Sequence, residues 1–352
     1  MLLRAIDQLA FRNLRTSRLE FAAGVTALVG PNGAGKSNVL GAAYLGCNAT
    51  AVGGTLGDLV NHDHQEAFVA AEVEHVDGVS RIAVGLAAGR KSVKLDGHTA
   101  RAHDVARVVA AVLLTPEDSA LVHGSPSARR AYLDAVLAKL STRYVLLSRE
   151  YQRVLEQRNA LLRNDPRDPS LAAWTERFVE LGGEIDALRE RLVARLCPLA
   201  DELYRSVAGA GRPFEVRLMR NWEGPSLADA VFASRFEEAA RGTSAVGPHR
   251  DDLALELGGH SLRNFGSRGE ARTAALALRV AEYRLLSERH GEAPVLLIDD
   301  FSAELDEARR GFLLELTATT PQALVTGTEA PPHSDQLFEI EDGVCRTIAA
   351  VH

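Results

Sequence analysis

The sequence predicts an α/β fold that is interrupted by a helical insert. Near the N-terminus, the apolar run Gly24–Val29 leads into a glycine-rich loop and then into a helical stretch. Toward the C-terminus, Val295–Ile298 is a continuous apolar run, as is typical of strands buried on both faces. Between these runs, residues 127–207 carry apolar residues at helical spacing. This order indicates one α/β domain whose two parts are separated in sequence by helices.

The segment before the insert is expected to form several strands, which belong to mixed parallel and antiparallel sheets. Apolar runs predict strands at Leu2–Leu9 and Ala110–Leu114. Rough alternation of apolar and polar residues predicts two more at 67–76 and 80–86. Val93–Leu95 is followed by Asp-Gly, which is a hairpin signal, so this block is expected to be antiparallel.

The insert is expected to be an antiparallel helical hairpin. One helix is predicted from Ser127 to Arg163 and a second from Ser170 to about Val207, with a proline-rich turn between them. After it, strands return at 214–219 and 252–257, a helix is predicted over 270–288, and a short strand over 323–325. We therefore predict one α/β domain in two parts, 1–121 and 212–352, around a helical insert at 122–211.

The composition is that of an ordinary soluble protein, with 46% hydrophobic residues, 25% charged residues and a formal net charge of −7. No window reaches the roughly 18 apolar residues of a membrane span, so no membrane partner is expected. Arg4 and Asp7 argue against a signal peptide. Cys47, Cys197 and Cys345 are scattered, which fits three thiols in a reducing cytoplasm and neither a metal site nor a disulfide framework.

A phosphate-binding loop follows the apolar run Gly24–Val29. It fits G-x-x-x-x-G-K-[ST] and lies between a predicted strand and a predicted helix. Its residues are Gly30, Pro31, Asn32, Gly33, Ala34, Gly35, Lys36 and Ser37. Glycines let backbone N–H groups turn toward phosphate oxygens, Lys36 reaches the β- and γ-phosphates, and the Ser37 hydroxyl is suited to Mg²⁺. The loop predicts ATP and Mg²⁺ as ligands.

Two adjacent carboxylates at the end of Val295–Ile298 complete the predicted site. Asp299 suits the Mg²⁺ shell, and Asp300 is placed to position or deprotonate the attacking water. The large sequence separation from the phosphate loop is typical of the ABC-type ATPases of chromosome maintenance, which carry helices inserted into the nucleotide-binding head.

Two further passages resemble ABC motifs. Phe265–Glu270 precedes a predicted helix and resembles the signature loop, with Ser267, Gly269 and Glu270 at the serine, second glycine and glutamine positions. Taken alone, this passage is better interpreted as a capped helix start. Ser302–Asp306 resembles the D-loop, so Asp306 joins the predicted nucleotide contacts. The resemblance implies a homodimer in which the signature of one subunit caps the ATP held by the other.

Four passages resemble the RecF family of recombination mediators, within the SMC-type ATPases. They are Phe11–Asn13; Thr115–Asp118 with Gly124–Pro126 and Arg129-Arg130; Val246–Asp252; and Ile298–Asp306. Their order spans nearly the whole chain. The resemblance implies ATP-dependent DNA binding, ATP-driven dimerisation and slow hydrolysis. It also implies partnership with RecR and RecO in loading RecA at gaps where single-stranded meets double-stranded DNA.

The sequence departs from the wider ABC pattern at several positions. Asp300 stands where most ABC ATPases have glutamate, which fits slow turnover. The switch histidine is replaced by Thr326-Gly327-Thr328, and Glu117 stands about where a glutamine loop is expected; the roles of these residues stay open. His249 and Arg250 are interpreted as bracing a loop or contacting DNA, in preference to catalysis.

Residues 129–163 carry eight basic and three acidic side chains. The charged face of a helix is often simply exposed to solvent and has no binding role. The family resemblance favours DNA contact instead, and the candidate side chains are Arg143, Arg149, Arg153 and Arg158.

Three functions compete on these observations. The leading hypothesis is an ATPase switch in which ATP closes a dimer on DNA and slow hydrolysis releases it. The alternative is an ABC-type transport ATPase subunit, for which a short insert without the basic segment is expected. A non-catalytic interaction module is the third, and the full set of Lys36, Ser37, Asp299 and Asp300 argues against it.

Overall fold

The computed structural model describes residues 1–209, 211–301 and 306–348. Contacts divide these residues into two compact units. Unit 1 holds residues 1–118, 206–209, 278–301 and 306–348, and unit 2 holds 119–205 and 211–277. The domain boundaries after residues 121 and 211 stay predictions, although contacts group 212–277 with the inserted helices.

The first sheet of unit 1 is antiparallel, as predicted for this block. Its strands, in the order β2-β1-β4-β5-β6-β7, are β1 (Leu2–Leu9), β2 (Ser17–Glu20), β4 (Glu66–His75), β5 (Gly78–Ala87), β6 (Arg90–Leu95) and β7 (His98–Thr99). The predicted hairpin is confirmed, because Asp96 and Gly97 both have positive φ, 50° and 82°. Positive φ at both central residues is what a type I′ turn needs.

The second sheet of unit 1 is mainly parallel. In the order β15-β14-β3-β13-β12-β8, it contains β3 (Gly24–Val29), β8 (Ala111–Leu114), β12 (Val295–Ile298), β13 (Gln322–Gly327), β14 (Gln336–Glu341) and β15 (Val344–Ile348). The β14–β15 pair is antiparallel, whereas the other strand pairs described in this sheet are parallel. Every residue of β8, β12 and β13 is buried, which explains why the apolar runs of β8 and β12 are continuous.

Helix α1 (Lys36–Asn48) packs against strands of both sheets of unit 1. Gly46 allows this close approach, since a Cβ atom there would lie 2.7 Å from the Cβ of Ala71 in β4. Unit 1 also holds α2 (Ala102–Val105), α10 (Glu307–Thr319), the later part of α9 (Arg268–His290) and the last residues of α6 (Ser170–Ala208), with short 3₁₀ turns at Gly57–Leu59 and Pro116–Ser119. The placement of α1 fixes the end of the phosphate loop against the core.

Unit 2 is mainly helical. It holds α3 (Ala120–His123), α4 (Pro126–Leu140), α5 (Thr142–Asn164), α7 (Leu227–Arg241), α8 (Leu262–Phe265) and most of α6 (Ser170–Ala208), together with the first residues of α9 (Arg268–His290). A 3₁₀ turn spans Pro248–Arg250. A small antiparallel sheet, β11-β10-β9, is formed by β9 (Phe214–Met219), β10 (Asp252–Leu257) and β11 (His260–Ser261). Among the described helices, none combines the length and apolar character that a bilayer crossing requires.

The predicted helix from Ser127 to Arg163 is wrong as a single element. The chain leaves the helical region at Ser141, which has φ −146° and ψ 109°, and α5 begins at the next residue. The Ser141 hydroxyl accepts a hydrogen bond from the N–H of Tyr144 and so caps α5. A serine that serves as an N-cap interrupts helical dihedrals without interrupting the apolar spacing, so periodicity alone does not separate α4 from α5.

Candidate nucleotide-binding site

The glycine-rich loop connects the end of β3 to the start of α1 in unit 1. Gly33 and Gly35 have φ of 82° and 113°, a region that other residues rarely adopt. Gly35 is the N-cap residue of α1, and no side chain caps the helix there. The first N–H groups of α1 are thus available to an anion, as in other phosphate-binding loops.

Lys36 folds back over this loop. Its ammonium group donates hydrogen bonds to the carbonyl oxygens of Gly30 (2.8 Å) and Pro31 (3.0 Å). The backbone N–H of Gly343 donates to the carbonyl of Ala34 at 2.9 Å and holds the loop from the β14–β15 turn. The positive charge of Lys36 is therefore kept at the loop, beside the N-terminus of α1.

Ser37 and Asp299, 262 residues apart in sequence, meet in space. The Ser37 hydroxyl donates to Asp299 Oδ1 at 2.9 Å. The contact follows from the strand order, because β13 lies between β3 and β12 and all three run parallel. Their carboxyl ends share one edge of the sheet, where ligands of α/β folds bind.

Thr326, the fifth residue of β13, joins the same cluster. Its hydroxyl donates to Asp299 Oδ1 at 2.6 Å and accepts the N–H of Asp300 at 2.8 Å. Asp300 has φ 55°, in the left-handed region that is strained for aspartate. One hydroxyl therefore anchors the Asp299 carboxylate and the backbone of Asp300.

A cavity of about 360 Å³ opens at this edge of the sheet. It is lined by Asn32, Gly33, Gly35, Lys36, Ser37, Asn38, Pro116, Glu117, Asp299, Asp300 and Thr326. A second cavity of about 410 Å³ shares Asn32 and Asp300 with the first and is lined also by Arg310 and Thr328. Glu117 borders the 360 Å³ cavity, and its part as the counterpart of a glutamine loop stays a prediction.

The oxygen atoms of Ser37 and Asp299 fit a hard divalent cation. A hydroxyl and a carboxylate are ligands that Mg²⁺ accepts, and Mg²⁺ is usually held by one or two such groups together with substrate phosphates. Within the described ranges, no group of three or more His, Cys, Asp or Glu side chains could bind a metal by itself. A cation at this position would thus depend on nucleotide phosphates for further ligands.

Arg12, Asn13 and Asn38 also lie at the site, although motif matching assigns them no role there. Arg12 donates to Asn38 Oδ1 at 2.9 Å, and Asn38 donates to Asn13 Oδ1 at 2.6 Å. Asn13 in turn donates to the carbonyl of Gly33 at 3.4 Å. Arg12 and Asn13 belong to the passage Phe11–Asn13, which resembles the RecF family. That resemblance singles the two residues out but does not by itself place them beside the phosphate loop.

The predicted signature residues lie in unit 2, at the start of α9. The N–H of Ser267 donates to Glu270 Oε2 at 2.8 Å, and the N–H of Glu270 donates to the Ser267 hydroxyl at 3.2 Å. This reciprocal pair is a capping box. Glu270 also pairs with Arg212, and the hydrogen bond from the Ser267 N–H lowers the pKa of Glu270. The cap is compatible with a second role for Ser267 and Gly269, which stays a prediction.

The predicted D-loop is described only at its last residue, since Ser302–Leu305 lie outside the described residues. Asp306 is the N-cap of α10 and accepts a hydrogen bond from the N–H of Arg309 at 3.0 Å. Its contacts with Arg309 lower the pKa of the carboxyl. Asp306 is not among the residues that line the 360 Å³ cavity, and its contact with nucleotide stays a prediction.

His249 and Arg250 brace a loop of unit 2. His249 Nδ1 lies 2.8 Å from the hydroxyl of Tyr151, and Arg250 donates to the carbonyl of Ser244 at 2.9 Å. Burial lowers the pKa of His249 to about 4, so the imidazole is neutral at pH 7. These contacts account for both side chains without a catalytic role.

The four candidate arginines of the basic segment have different environments. Arg158 is buried and donates to Glu238, Ser244 and Thr175, so its predicted contact with DNA is wrong. Arg143 is exposed and pairs with Glu184. Arg149 and Arg153 are exposed and one helical turn apart on α5. Arg129, in α4, is also buried, and it binds the carboxylate of Asp252.

A mixed sheet with a phosphate loop, a paired Ser–Asp contact and inserted helices defines the class of SMC-type P-loop ATPase heads. The family model of the RecF/RecN/SMC N-terminal domain matches residues 2–338. The chain is 47% identical to the "DNA replication and repair protein RecF" of Deinococcus deserti and 44% identical to that of Deinococcus radiodurans, in each case over 94% of this chain and 91% of the relative. The chain belongs to the RecF family of DNA replication and repair proteins.

Solved structures agree with this assignment. A structure described as the recombination mediator protein RecF with ATP in the RecFOR pathway matches with a TM-score of 0.91 at 28% identity, over 99% of this chain and 97% of that one. The head of an Smc protein bound to a domain of ScpA matches at a TM-score of 0.58 and 17% identity, over 99% of this chain and 97% of that one, which shows a shared fold. The predicted fold class is thus confirmed.

Proposed function

We propose that the chain binds ATP with Mg²⁺ in the 360 Å³ cavity and hydrolyses it slowly. The observation that carries the proposal is the contact of Ser37 with Asp299, with Lys36 on the same loop. A RecF protein has been solved with ATP, which supports the same ligand here. The loop N–H groups and Lys36 would bind the phosphates. Phosphate oxygens would then replace the carbonyl oxygens of Gly30 and Pro31 as hydrogen-bond acceptors of the Lys36 ammonium group.

Each side chain at the edge of the sheet has a proposed task in hydrolysis. Ser37 and Asp299 would hold Mg²⁺, which when bound neutralises charge on the β- and γ-phosphates. Asp300 lines both cavities and would orient the attacking water and accept its proton. Aspartate is one methylene shorter than the glutamate usual at this position, so its carboxylate stands farther from the water. Slow turnover is the expected result.

We further propose that ATP drives dimerisation and that the dimer binds DNA. Ser267, Gly269 and Asp306 would meet the nucleotide of the partner subunit, as the resemblance implies. The net charge of −7 disfavours DNA binding by the molecule as a whole, so a local basic surface is required. The exposed pair Arg149 and Arg153 on α5 offers such a surface, and two copies in a dimer would double it.

Membership of the RecF family supports a role in recombinational repair within the cytoplasm, with RecO and RecR as partners and gapped DNA as the site of action. The transport alternative gains no support from the relatives, whose names concern DNA replication and repair. A non-catalytic module is also disfavoured, because the loop and both carboxylates line one cavity.

The decisive experiment is the mass of the chain in solution without nucleotide, with ADP and with ATP, measured by light scattering. A doubling of mass with ATP alone is expected. A gel shift of duplex DNA in the same three conditions and a phosphate-release assay complete the test. A chain that stays monomeric with ATP, or that shifts DNA equally in all conditions, would refute the ATP switch.

A further inference from the structure

We infer that Thr326 is a positioning residue for hydrolysis. Its single hydroxyl fixes the carboxylate of Asp299, which is proposed to hold the cation, and the backbone of Asp300, whose carboxylate is proposed to orient the water. The inference rests on the proposed function and extends it to a residue whose role the sequence leaves open.

The position of Thr326 in the sheet makes this possible. It lies in β13, whose neighbour β12 ends at Ile298, opposite Val325. Thr326 is therefore one residue beyond the last pair of the β12–β13 ladder. On its other side, Thr326 is opposite Leu28 of β3, two residues before the phosphate loop begins. The side chain is buried, with 1% of its surface exposed.

Three consecutive residues are attached to Thr326. Its hydroxyl donates to Asp299 Oδ1 (2.6 Å) and accepts the N–H of Asp300 (2.8 Å), while its carbonyl accepts the N–H of Phe301 (2.8 Å). A backbone N–H can only donate, so the hydroxyl proton is directed to the Asp299 carboxylate. The direction of both hydrogen bonds is thus determined.

The first consequence concerns Asp299. Its Oδ1 accepts from Ser37 on one side and from Thr326 on the other. Two donors to one oxygen restrict rotation of the carboxylate and leave Oδ2 without a hydroxyl partner in the described cluster. Without Thr326, the Asp299 carboxylate could rotate away from Ser37, and the pair would be less suited to a cation.

The second consequence concerns Asp300. Its left-handed backbone, φ 55°, is unfavourable for aspartate and persists only where neighbouring contacts hold it. The hydrogen bonds from the N–H groups of Asp300 and Phe301 to Thr326 supply that support. They hold the Asp300 side chain at the wall of the cavity.

The hydroxyl proton of Thr326 is engaged with Asp299 and is not available to a γ-phosphate. Thr326 is therefore expected to act through Asp299 and Asp300 and not as the sensor that replaces the switch histidine. Thr328, which is exposed and lines the 410 Å³ cavity, is the separate candidate for that task.

The test compares Thr326→Val, which removes the hydroxyl and keeps the branched shape, with Thr326→Ser, which keeps it. Thr26→Val is the matched control, since Thr26 is buried in β3 of the same sheet and bonds Gln336 away from the site. Single-turnover hydrolysis should fall roughly 10- to 100-fold in Thr326→Val. It should stay within about threefold of the parent in Thr326→Ser and Thr26→Val.

A second readout needs no hydrolysis. The affinity for ATP is measured once with Mg²⁺ and once with EDTA. The parent should bind ATP more tightly with Mg²⁺ than with EDTA. Thr326→Val should lose most of that difference and keep the parent's affinity in EDTA. If Thr326→Val does not fold by circular dichroism, Thr326→Ala takes its place. A valine variant with the parent's rate and the parent's Mg²⁺ dependence would overturn the inference, as would equal losses in the serine variant. Failure of the parent itself to bind ATP would instead refute the proposed function.

Discussion

Arg158 and Glu238 form an ion pair in which both side chains are buried. Arg158 Nη2 lies 2.6 Å from Glu238 Oε2, and the two side chains are 3% and 0% exposed. Ser244 and Thr175 accept further Arg158 hydrogen bonds, and the guanidinium lies over the ring of Phe178. This arginine is therefore part of the core of unit 2, although it follows the exposed Arg149 and Arg153 in the same helix.

Arg158→Ala should destabilise the protein by about 3–5 kcal/mol, because it leaves Glu238 buried without this cationic partner. Arg153→Ala is the control, and it should change the free energy of unfolding by less than about 0.5 kcal/mol. Urea denaturation measures both. Equal stability of the two variants would show that the buried pair contributes nothing.

Lys36→Met should abolish ATP binding, because the phosphates lose the point charge of the loop. The fold should survive, since the Lys36 ammonium donates to the loop carbonyls of Gly30 and Pro31 and not to the core of the sheet. Isothermal titration with ATP and a thermal melt test the two statements. A folded variant with the parent's nucleotide affinity would contradict the proposed site.

Asp300→Asn should keep ATP binding and lose hydrolysis, since an amide of similar size cannot accept the proton of the water. The N–H of residue 300 still donates to Thr326 in this variant, so the left-handed backbone is expected to persist. Phosphate release should fall at least about 100-fold, and the ATP-bound dimer should accumulate. Turnover equal to that of the parent would remove Asp300 from the reaction.

Ser267→Arg should prevent the ATP-dependent doubling of mass and leave ATP binding intact, because a long cationic side chain would clash at a closely packed interface. The substitution also removes the N-cap of α9, at a cost of about 1 kcal/mol. Ser267→Ala removes the same cap without the bulk and is the matched control. If light scattering with ATP finds a dimer of the arginine variant, the sandwich arrangement is wrong.

DNA affinity in the presence of ATP should fall steeply with salt. Each phosphate contact contributes about −0.9 to the slope of log K against log salt. We expect Arg149→Ala and Arg153→Ala each to flatten this slope by roughly one unit for every phosphate contact that is lost. Both variants should weaken binding equally for DNA of different sequences, because phosphate contacts carry no base information. Arg143→Ala should have a smaller effect, because Arg143 is already paired with Glu184. Unchanged slopes in both main variants would place the DNA site elsewhere.

Elements whose patterns are local can be predicted from the sequence. β1, β3, β9 and β10 begin and end at the predicted residues, because apolar runs predict β1 and β3 and alternating apolar and polar residues predict β9 and β10. The motif G-x-x-x-x-G-K-[ST] locates the phosphate loop, since its chemistry requires fixed residue types at fixed spacing.

Features that depend on tertiary contact cannot be predicted in this way. α7 and α10 are not predicted from apolar spacing, although the N-cap residues Ser226 and Asp306 mark where they begin. The burial of Arg158 is invisible in a charge count, because it depends on Glu238, 80 residues away in sequence. The same holds for Thr326, whose importance arises only when β13 lies between β3 and β12.

The strand order also bears on how the protein can be made. Both neighbours of β3 in its sheet, β13 and β14, are encoded after residue 321, so β3 leaves the ribosome some 300 residues before either can pair with it. Pairing at such separation is slow, and unpaired strand edges are prone to aggregate. During synthesis, the phosphate loop therefore lacks the sheet that supports it until residue 341 has emerged. Nascent chains stalled before residue 341 should therefore be unable to retain nucleotide. In a chain that does retain nucleotide, β3 has already paired with β13 and β14.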